Sequence, residues 1–240
     1  MPQKLNPVKG KNMEGFIARW YAKNTAANMH AFREEAARYA ERLADGAAIL
    51  EVAPGPGYLA IELAKLGRFR VAGVDYSHTF VGICRDNAKT AGVAAGFVQG
   101  DAARLPFANE AFDFLICRAA FKNFGDPVGA MREMHRVLRP GGEAVIVDMR
   151  KGANDREIAE EVAAMKQGWL DAMLTRFALR SLRARAYTRE DFERMIAETP
   201  FGEADIREDG IGFEITLAKR GRVENRSRPA DEVHASSRIS

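Results

Sequence analysis

The stretch LEVAPGPGYLAIELAKLG, residues 50 to 67, decides how the rest of the chain is read. An apolar run enters a turn of Pro and Gly. Apolar residues then return at helical spacing, with Leu59, Leu63 and Leu66 at i, i+4 and i+7, and Gly67 closes the pattern. Strand, tight loop and helix in that order form the unit with which parallel α/β sheets hold nucleotide-like ligands.

Outward from this unit the alternation continues. RVAGVDY, AGFVQGD, FDFLICR (112–118) and EAVIVDMR read as further strands, and AAILEVA is the first of the five. Between them, DNAKTAG reads as the end of a helix that Ser77 and Thr79 can cap. PVGAMREMHRVLRPGG is a helix with Met131, Met134 and Leu138 on one face, ended by Arg139-Pro140-Gly141-Gly142. Several strands are apolar on both faces, which requires cover on both sides. The expected fold is α/β: a doubly wound, mostly parallel sheet.

The flanks differ. Residues 1–12 read as a polar tail, and 13–45 as a helical segment stopped at Gly46, so 1–45 forms a tail and helical cover before a core of 46–150. Residues 155–186 carry Ile158, Val162, Met165, Trp169, Met173 and Phe177 near helical spacing. Thr188-Arg189-Glu190-Asp191 resembles a capping box. EADIREDG and FEITLAKR form a hairpin that adds antiparallel strands at one edge, so 151–220 completes the same domain. Residues 221–240 are polar, aperiodic and read as a disordered tail.

Bulk properties exclude several classes. The 240 residues are 47% hydrophobic and 29% charged, a globular balance with enough apolar material for one core. A net charge of +3 gives no footprint for nucleic acid. Two cysteines, Cys84 and Cys117, sit in apolar periodic segments, which argues against disulfides and for a reducing compartment. No apolar run approaches the roughly 18 residues of a membrane span, and the first residues lack a signal-peptide core. A cytoplasmic protein without integral membrane association is expected. No metal-ligand constellation appears.

Three ligands compete for the loop. A triphosphate loop needs Lys-Ser or Lys-Thr after its glycines, and none is present. A dinucleotide fingerprint is matched by Gly55, Gly57 and Ala60, with Asp75 lying 18 residues after Gly57. S-adenosylmethionine is the third. It has no phosphate and carries positive charge, so Glu51 at the end of the first strand suits it. Gly55 and Gly57 permit close backbone approach. Asp75 suits a ribose diol, and Asp101 with Ala102 and Leu105 suits adenine.

The ordered series EVAPGPG, VDYS, GDAARLPFANEAFDFLICR and EMHRVLRPGGEAVIVD, across roughly residues 47 to 150, resembles class I S-adenosylmethionine-dependent methyltransferases. Its style is that of the ubiquinone/menaquinone-biosynthesis (methyltransferase domain 11) type. The resemblance implies a Rossmann-like fold with a helical cover over the site, and S-adenosyl-L-methionine as cofactor. It places Glu51, Ala53, Gly55, Gly57, Asp75, Tyr76, Asp101, Ala102 and Arg118 around that cofactor. Ala53 stands where the family's loop has an earlier glycine, and Pro54 and Pro56 flank Gly55. The implied reaction is in-line transfer of a methyl group to an O, N, S or C atom of a small, partly hydrophobic acceptor.

The acceptor side is less legible. RAAFKNF (118–124) is the candidate floor, with Arg118, Lys122 and Asn123 as polar groups and Phe121 and Phe124 as apolar ones. Tyr21, Met165 and Trp169 are candidate lining, and His78 is a candidate base beside His30 and His135. The arginines at 176, 180, 183, 185 and 189 read as a solvated face, or as a contact for an anionic substrate or membrane surface. A homodimer is compatible with the sequence. An NAD-dependent oxidoreductase and a non-catalytic S-adenosylmethionine-binding protein are the alternatives.

Overall fold

The computed structural model describes residues 13–164 and 169–221; the expected tails, Met165 and the side chain of Trp169 lie outside these. Seven strands form one sheet: β1 Ala48–Val52, β2 Arg70–Asp75, β3 Ala95–Gln99, β4 Phe112–Arg118, β5 Leu138–Met149, β6 Asp205–Asp209 and β7 Gly212–Ala218. Their order is β3-β2-β1-β4-β5-β7-β6. Pairs among the first five are parallel, while β7 runs antiparallel to both β5 and β6. The helices are α1 Gly15–Thr25, α2 Met29–Ala40, α3 Tyr58–Lys65, α4 His78–Ala91, α5 Pro127–Val137, α6 Asp155–Ala164, α7 Trp169–Arg183 and α8 Arg189–Ala197.

The alternation of side chains along a strand divides the core. On one face Ile49, Phe114 and Ile116 pack with α2, α3 and α4 through Phe32, Tyr39, Leu59, Leu63 and Cys84. On the other, Leu50, Leu115 and Cys117 pack with α5 and α8 through Met131, Met134, Phe192 and Ile196. All five residues of β1 are buried, which the apolar run required. The chain winds outward through β1, β2 and β3, then returns to place β4 against the other side of β1. That reversal opens a crevice at the carboxyl ends of β1 and β4, where ligands of such sheets bind.

Local signals act where the residues placed them. Ser77 Oγ accepts from Phe80 N to cap α4, and Thr188 and Asp191 form a reciprocal capping box on α8. Two expectations need correction. The segment 13–45 is not one helix: a 3-10 turn at Ala26–Asn28 separates α1 from α2, and α2 ends at Ala40, before Gly46. The break lets α1 pack on α4 while α2 packs on α3. The LRPGG segment does not extend α5. Leu138 already pairs with Phe112, and the register then jumps to Glu143 with Phe114. The intervening residues bulge, with Gly141 at φ 83° and a Cβ on Gly142 excluded by the Asp113 carbonyl at 2.8 Å. No helix among the described residues is long and apolar enough to cross a membrane.

Candidate functional site

The loop between β1 and α3 is held in a backbone shape that few sequences adopt. Ala53 (φ 57°), Gly55 (φ 55°) and Gly57 (φ 80°) all lie in the left-handed region. At Gly57 an added Cβ would stand 2.9 Å from Cys84 Sγ, whereas at Gly55 it would meet only the Tyr21 ring edge at 3.8 Å. The loop is tied from outside as well. The Cys84 thiol donates to the Gly55 carbonyl (3.0 Å), and Asn87 Nδ2 donates to the Pro56 carbonyl (2.9 Å).

Ala53 is the departure from glycine anticipated above, and it carries strain. Alanine in this region costs about 1–2 kcal/mol, while glycine adds about 0.4–1 kcal/mol of unfolded-state entropy. Ala53→Gly is therefore expected to raise stability by up to about 1 kcal/mol in thermal unfolding. A lower midpoint would mean that the Ala53 methyl makes packing contacts worth more than the strain.

Two carboxyls are buried at the ends of neighbouring strands. Asp75 Oδ1 accepts from Ser77 N (2.8 Å) and Oδ2 from Gly55 N (3.0 Å), so this acid shapes the loop as well as facing it. Burial raises its pKa to about 6, against the pull of the Ser77 and Gly55 N–H groups, and Glu14 adds to the rise. Glu51 Oε2 accepts from Ala60 N at 2.8 Å. Burial pushes its pKa to about 8; the Ala60 N–H and Arg118 oppose the rise, and Glu35 and Asp75 add to it.

The sign of the consequence is fixed. Glu51 titrates near 4.5 when unfolded and about 8 when folded. The folded state then holds a proton that the unfolded state releases, so stability falls as pH rises from about 4.5 to about 8. Thermal melts across that window should show the fall in the wild type and a flatter profile in Glu51→Gln. Equal slopes would place the Glu51 carboxyl in water.

The N-terminal helix closes over this loop. Glu14 accepts from His78 N (3.0 Å), Thr79 N (3.1 Å) and the Thr79 hydroxyl, and Ser77 Oγ donates to the Met13 carbonyl (2.7 Å). Tyr21, at the centre of α1, meets Phe80 edge-on at 5.9 Å and leans over Gly55. Tyr58 donates to the Ala22 carbonyl at 2.9 Å. The structure thus brings Tyr21 to Gly55, a juxtaposition across more than thirty residues of sequence.

The other candidates fall as follows. Tyr76 is half-buried, and its carbonyl accepts from Gln99 Nε2. Asp101 is buried, and its Oδ1 accepts from Ala103 N at 2.9 Å, with Ala102 packed against the core. Arg118 turns toward α2: its Nε lies 2.8 Å from Glu35 Oε2, out of line for a hydrogen bond, and its guanidinium covers the Phe32 ring at 5.2 Å. His78 is exposed at the start of α4.

Two acceptor-floor expectations are corrected by burial. Phe121 is 0% exposed, stacked on Phe192 (5.6 Å) and beside Phe124 (5.3 Å), so its ring belongs to the core. Lys122 is buried too, with Nζ 2.7 Å from Asp148 Oδ1 and 2.7 Å from the Ala119 carbonyl, which leaves it no reach to an acceptor. Asn123 differs: its Oδ1 is shielded from solvent and has no hydrogen-bond partner among the described residues. Of the basic stretch, Arg180 and Arg183 bind Asp155, and Arg189 donates to the Ile206 carbonyl.

Sequence reasoning missed Glu14, Glu35 and Asp148. Glu14 and Glu35 act across distant elements and carry no local signal. Asp148 had one: a lone acid inside the apolar run VIVDM has to find a buried partner. A shallow depression lined by Ala48, Arg70, Ala95 and Phe112 lies at the opposite edge of the sheet, away from all of these groups.

Fold and site define a class: an α/β domain whose switch-point loop faces two buried carboxyls, Glu51 and Asp75, rather than a lysine, and so favours a ligand with positive charge over a phosphate. Comparison with known proteins gives a matching family model. Residues 50–146 match the methyltransferase-domain family Methyltransf_11.

Among curated relatives, the chain is 34% identical over 148 residues to the ubiquinone/menaquinone biosynthesis C-methyltransferase of Bdellovibrio bacteriovorus, covering 60% of this chain and 63% of that one. It is 37% identical over 101 residues to the demethylmenaquinone methyltransferase of Thermus thermophilus, covering 42% and 46%. The chain thus spans about half to two thirds of the length of these relatives. Among solved structures, a putative S-adenosyl-L-methionine-dependent methyltransferase of Methanococcus maripaludis superposes with TM-score 0.68 at 21% identity, over 93% of this chain and 99% of that one. One from Aquifex aeolicus gives 0.63 at 15% identity, over 83% and 97%. The sheet order and the antiparallel hairpin are those of the Rossmann-like methyltransferase fold, and nothing in these matches favours the dinucleotide reading.

Proposed function

We propose that this protein is an S-adenosylmethionine-dependent methyltransferase that methylates a ring carbon of a small, partly hydrophobic acceptor of the quinol type. The observation that carries the reading is the pair of buried carboxyls, Glu51 and Asp75, on either side of a loop in left-handed backbone at three positions. Their raised pKa values mean that each gains from the arrival of a cation. The residues present therefore fit the cofactor, which supplies a methyl group activated on a positively charged sulfur. Glu51, Ala53, Gly55 and Gly57 would hold its amino-acid part, Asp75 and Tyr76 its ribose, and Asp101 with Ala102 its adenine. Core, cover and hairpin would act as one domain. The acceptor class is supported by the names of the curated relatives, two of which are given above.

The protein's own contribution is positioning. Holding the acceptor atom in line with the methyl carbon and excluding water is worth about 7–11 kcal/mol of barrier in well-oriented systems. Tyr21 and the α1 cover exclude water from the loop side. Asn123 Oδ1, shielded and without a partner, is suited to accept a hydrogen bond from an acceptor hydroxyl. The buried Lys122–Asp148 pair anchors the segment that presents it.

Calorimetric titration with S-adenosylmethionine, S-adenosylhomocysteine and NAD tests the cofactor. Binding of the first two without NAD is the expected result, and binding of NAD alone overturns the reading. Transfer of labelled methyl to a demethylated hydroquinone tests the acceptor. Cofactor binding with no transfer to any hydroquinone would reject the acceptor class, and leave the non-catalytic alternative in front.

A further inference from the structure

Six of the eight large apolar side chains exposed among the described residues lie on two helices: Phe16, Ile17, Trp20 and Tyr21 on α1, and Met173 and Phe177 on α7. Helix α1 is inverted relative to an ordinary surface helix. It buries Ala18 and Ala22, while Phe16 is 79% and Trp20 54% exposed. Phe16 and Trp20 are spaced i, i+4, as are Met173 and Phe177, so each helix presents a stripe rather than scattered residues. Phe177 is 74% exposed, although Leu179 and Leu182 of the same helix pack inward on Ile158 and Met149. Small residues facing the protein let α1 seat closely over the cofactor loop; the bulky ones are left for something else.

Both helices stand at the edge of the sheet where the parallel strands end. α1 is pinned to the residues following β2, and α6 and α7 follow the carboxyl end of β5. The charge along the α1 stripe has one sign. α1, GFIARWYAKNT, contains Arg19 and Lys23 and no acid. In α7, Arg176 adjoins Phe177, and the one acid of the helix, Asp171, lies in its first turn. Arg19, Lys23 and Arg176 are exposed and form no ion pair among the described residues, whereas Arg180 and Arg183 of α7 are taken up by Asp155. Pairing this face with a second copy about a two-fold axis would bring like cations together. Exposed rings flanked by unneutralised cations match a different occupant: rings settle at the acyl–headgroup boundary, and Lys and Arg reach the lipid phosphates.

We propose that α1 and α7 form a docking face through which the protein lies on an anionic lipid bilayer, with Phe16, Trp20 and Phe177 as its anchors. Docking would turn the open edge of the sheet, and hence the cofactor loop, toward the lipid. The inference rests on exposure and charge, and it stands whether or not the acceptor is a quinol.

Co-sedimentation of the full chain with phosphatidylcholine vesicles, with and without phosphatidylglycerol, tests it. The expected result is binding to the phosphatidylglycerol vesicles and at least about tenfold less to neutral ones, since each basic residue near the surface contributes about a fivefold factor. F16S/W20S should lose about tenfold or more of that binding, and Phe177→Ser should weaken it independently; circular dichroism should show both variants folded. R19E/K23E should abolish the preference for anionic lipid. Absence of vesicle binding, equal binding to both vesicle types, or full binding by F16S/W20S would overturn the proposal. So would a wild-type dimer in sedimentation equilibrium that F16S/W20S converts to monomer, because the face would then be an interface between copies. No cofactor or acceptor is needed for any arm, so failure here is separate from failure of the methyltransferase reading.

Discussion

Asp148→Ala should lower the unfolding free energy by about 3–5 kcal/mol, the cost of stranding a buried charge. Asp148 and Lys122 are 3% exposed each, and the carboxylate accepts from Lys122 Nζ, Lys122 N and Met149 N, all at 2.7 Å. Removing it leaves an ammonium with the Ala119 carbonyl as its remaining acceptor and frees two buried N–H groups. Domains of this kind hold about 5–15 kcal/mol in all, so the variant should be near its unfolding limit at ambient temperature. Lys122→Met should cost less, because two backbone N–H groups still satisfy the carboxylate. Urea titration reads both through the transition midpoint. An Asp148→Ala variant within 1 kcal/mol of wild type would mean that water reaches the pair, contrary to its burial.

The second large effect is at Gly57. Gly57→Ala places a Cβ 2.9 Å from Cys84 Sγ and 3.3 Å from Cys84 Cβ, in backbone at φ 80°. Strain of about 1–2 kcal/mol for the left-handed conformation adds to the overpacking, for a total of about 2–4 kcal/mol. Because the loop must move to relieve the clash, ligand affinity at the loop should fall with stability. Gly55→Ala is the control: its Cβ has room, so only the backbone strain applies, about 1–2 kcal/mol. Cys84→Ala in the Gly57→Ala background should recover part of the loss, because the nearest clashing atom is gone; strict additivity of the two changes would deny the contact. Equal losses at Gly55 and Gly57 would assign the effect to strain alone.

These two sites mark different kinds of legibility. Gly57 was visible as chemistry, since a Gly-rich turn between an apolar run and a helical pattern has few uses. The Lys122–Asp148 pair was not. Lys122 was read as a polar contact for the acceptor, and Phe121 as its apolar wall, because position in the chain does not say which way a side chain turns. Burial against Phe192 and Asp148, seventy-one and twenty-six residues further on, reverses both readings. Arg118 shows the same limit: its place at the end of β4 was readable, but its ion pair with Glu35 on α2 was not.

By itself, then, the sequence determined the parallel core, the loop and its two acids, the caps on α4 and α8, and the C-terminal hairpin. Each of these rests on local periodicity, turn chemistry or a short motif, interactions within a few residues of one another. Tertiary structure alone decided that Tyr21 lies over Gly55, that Arg118 pairs with Glu35, that Lys122 is buried, and that α1 turns alanines inward and aromatics outward. Those outcomes depend on contacts between elements far apart in the chain, and a side chain's surroundings exist only once the sheet has brought the elements together.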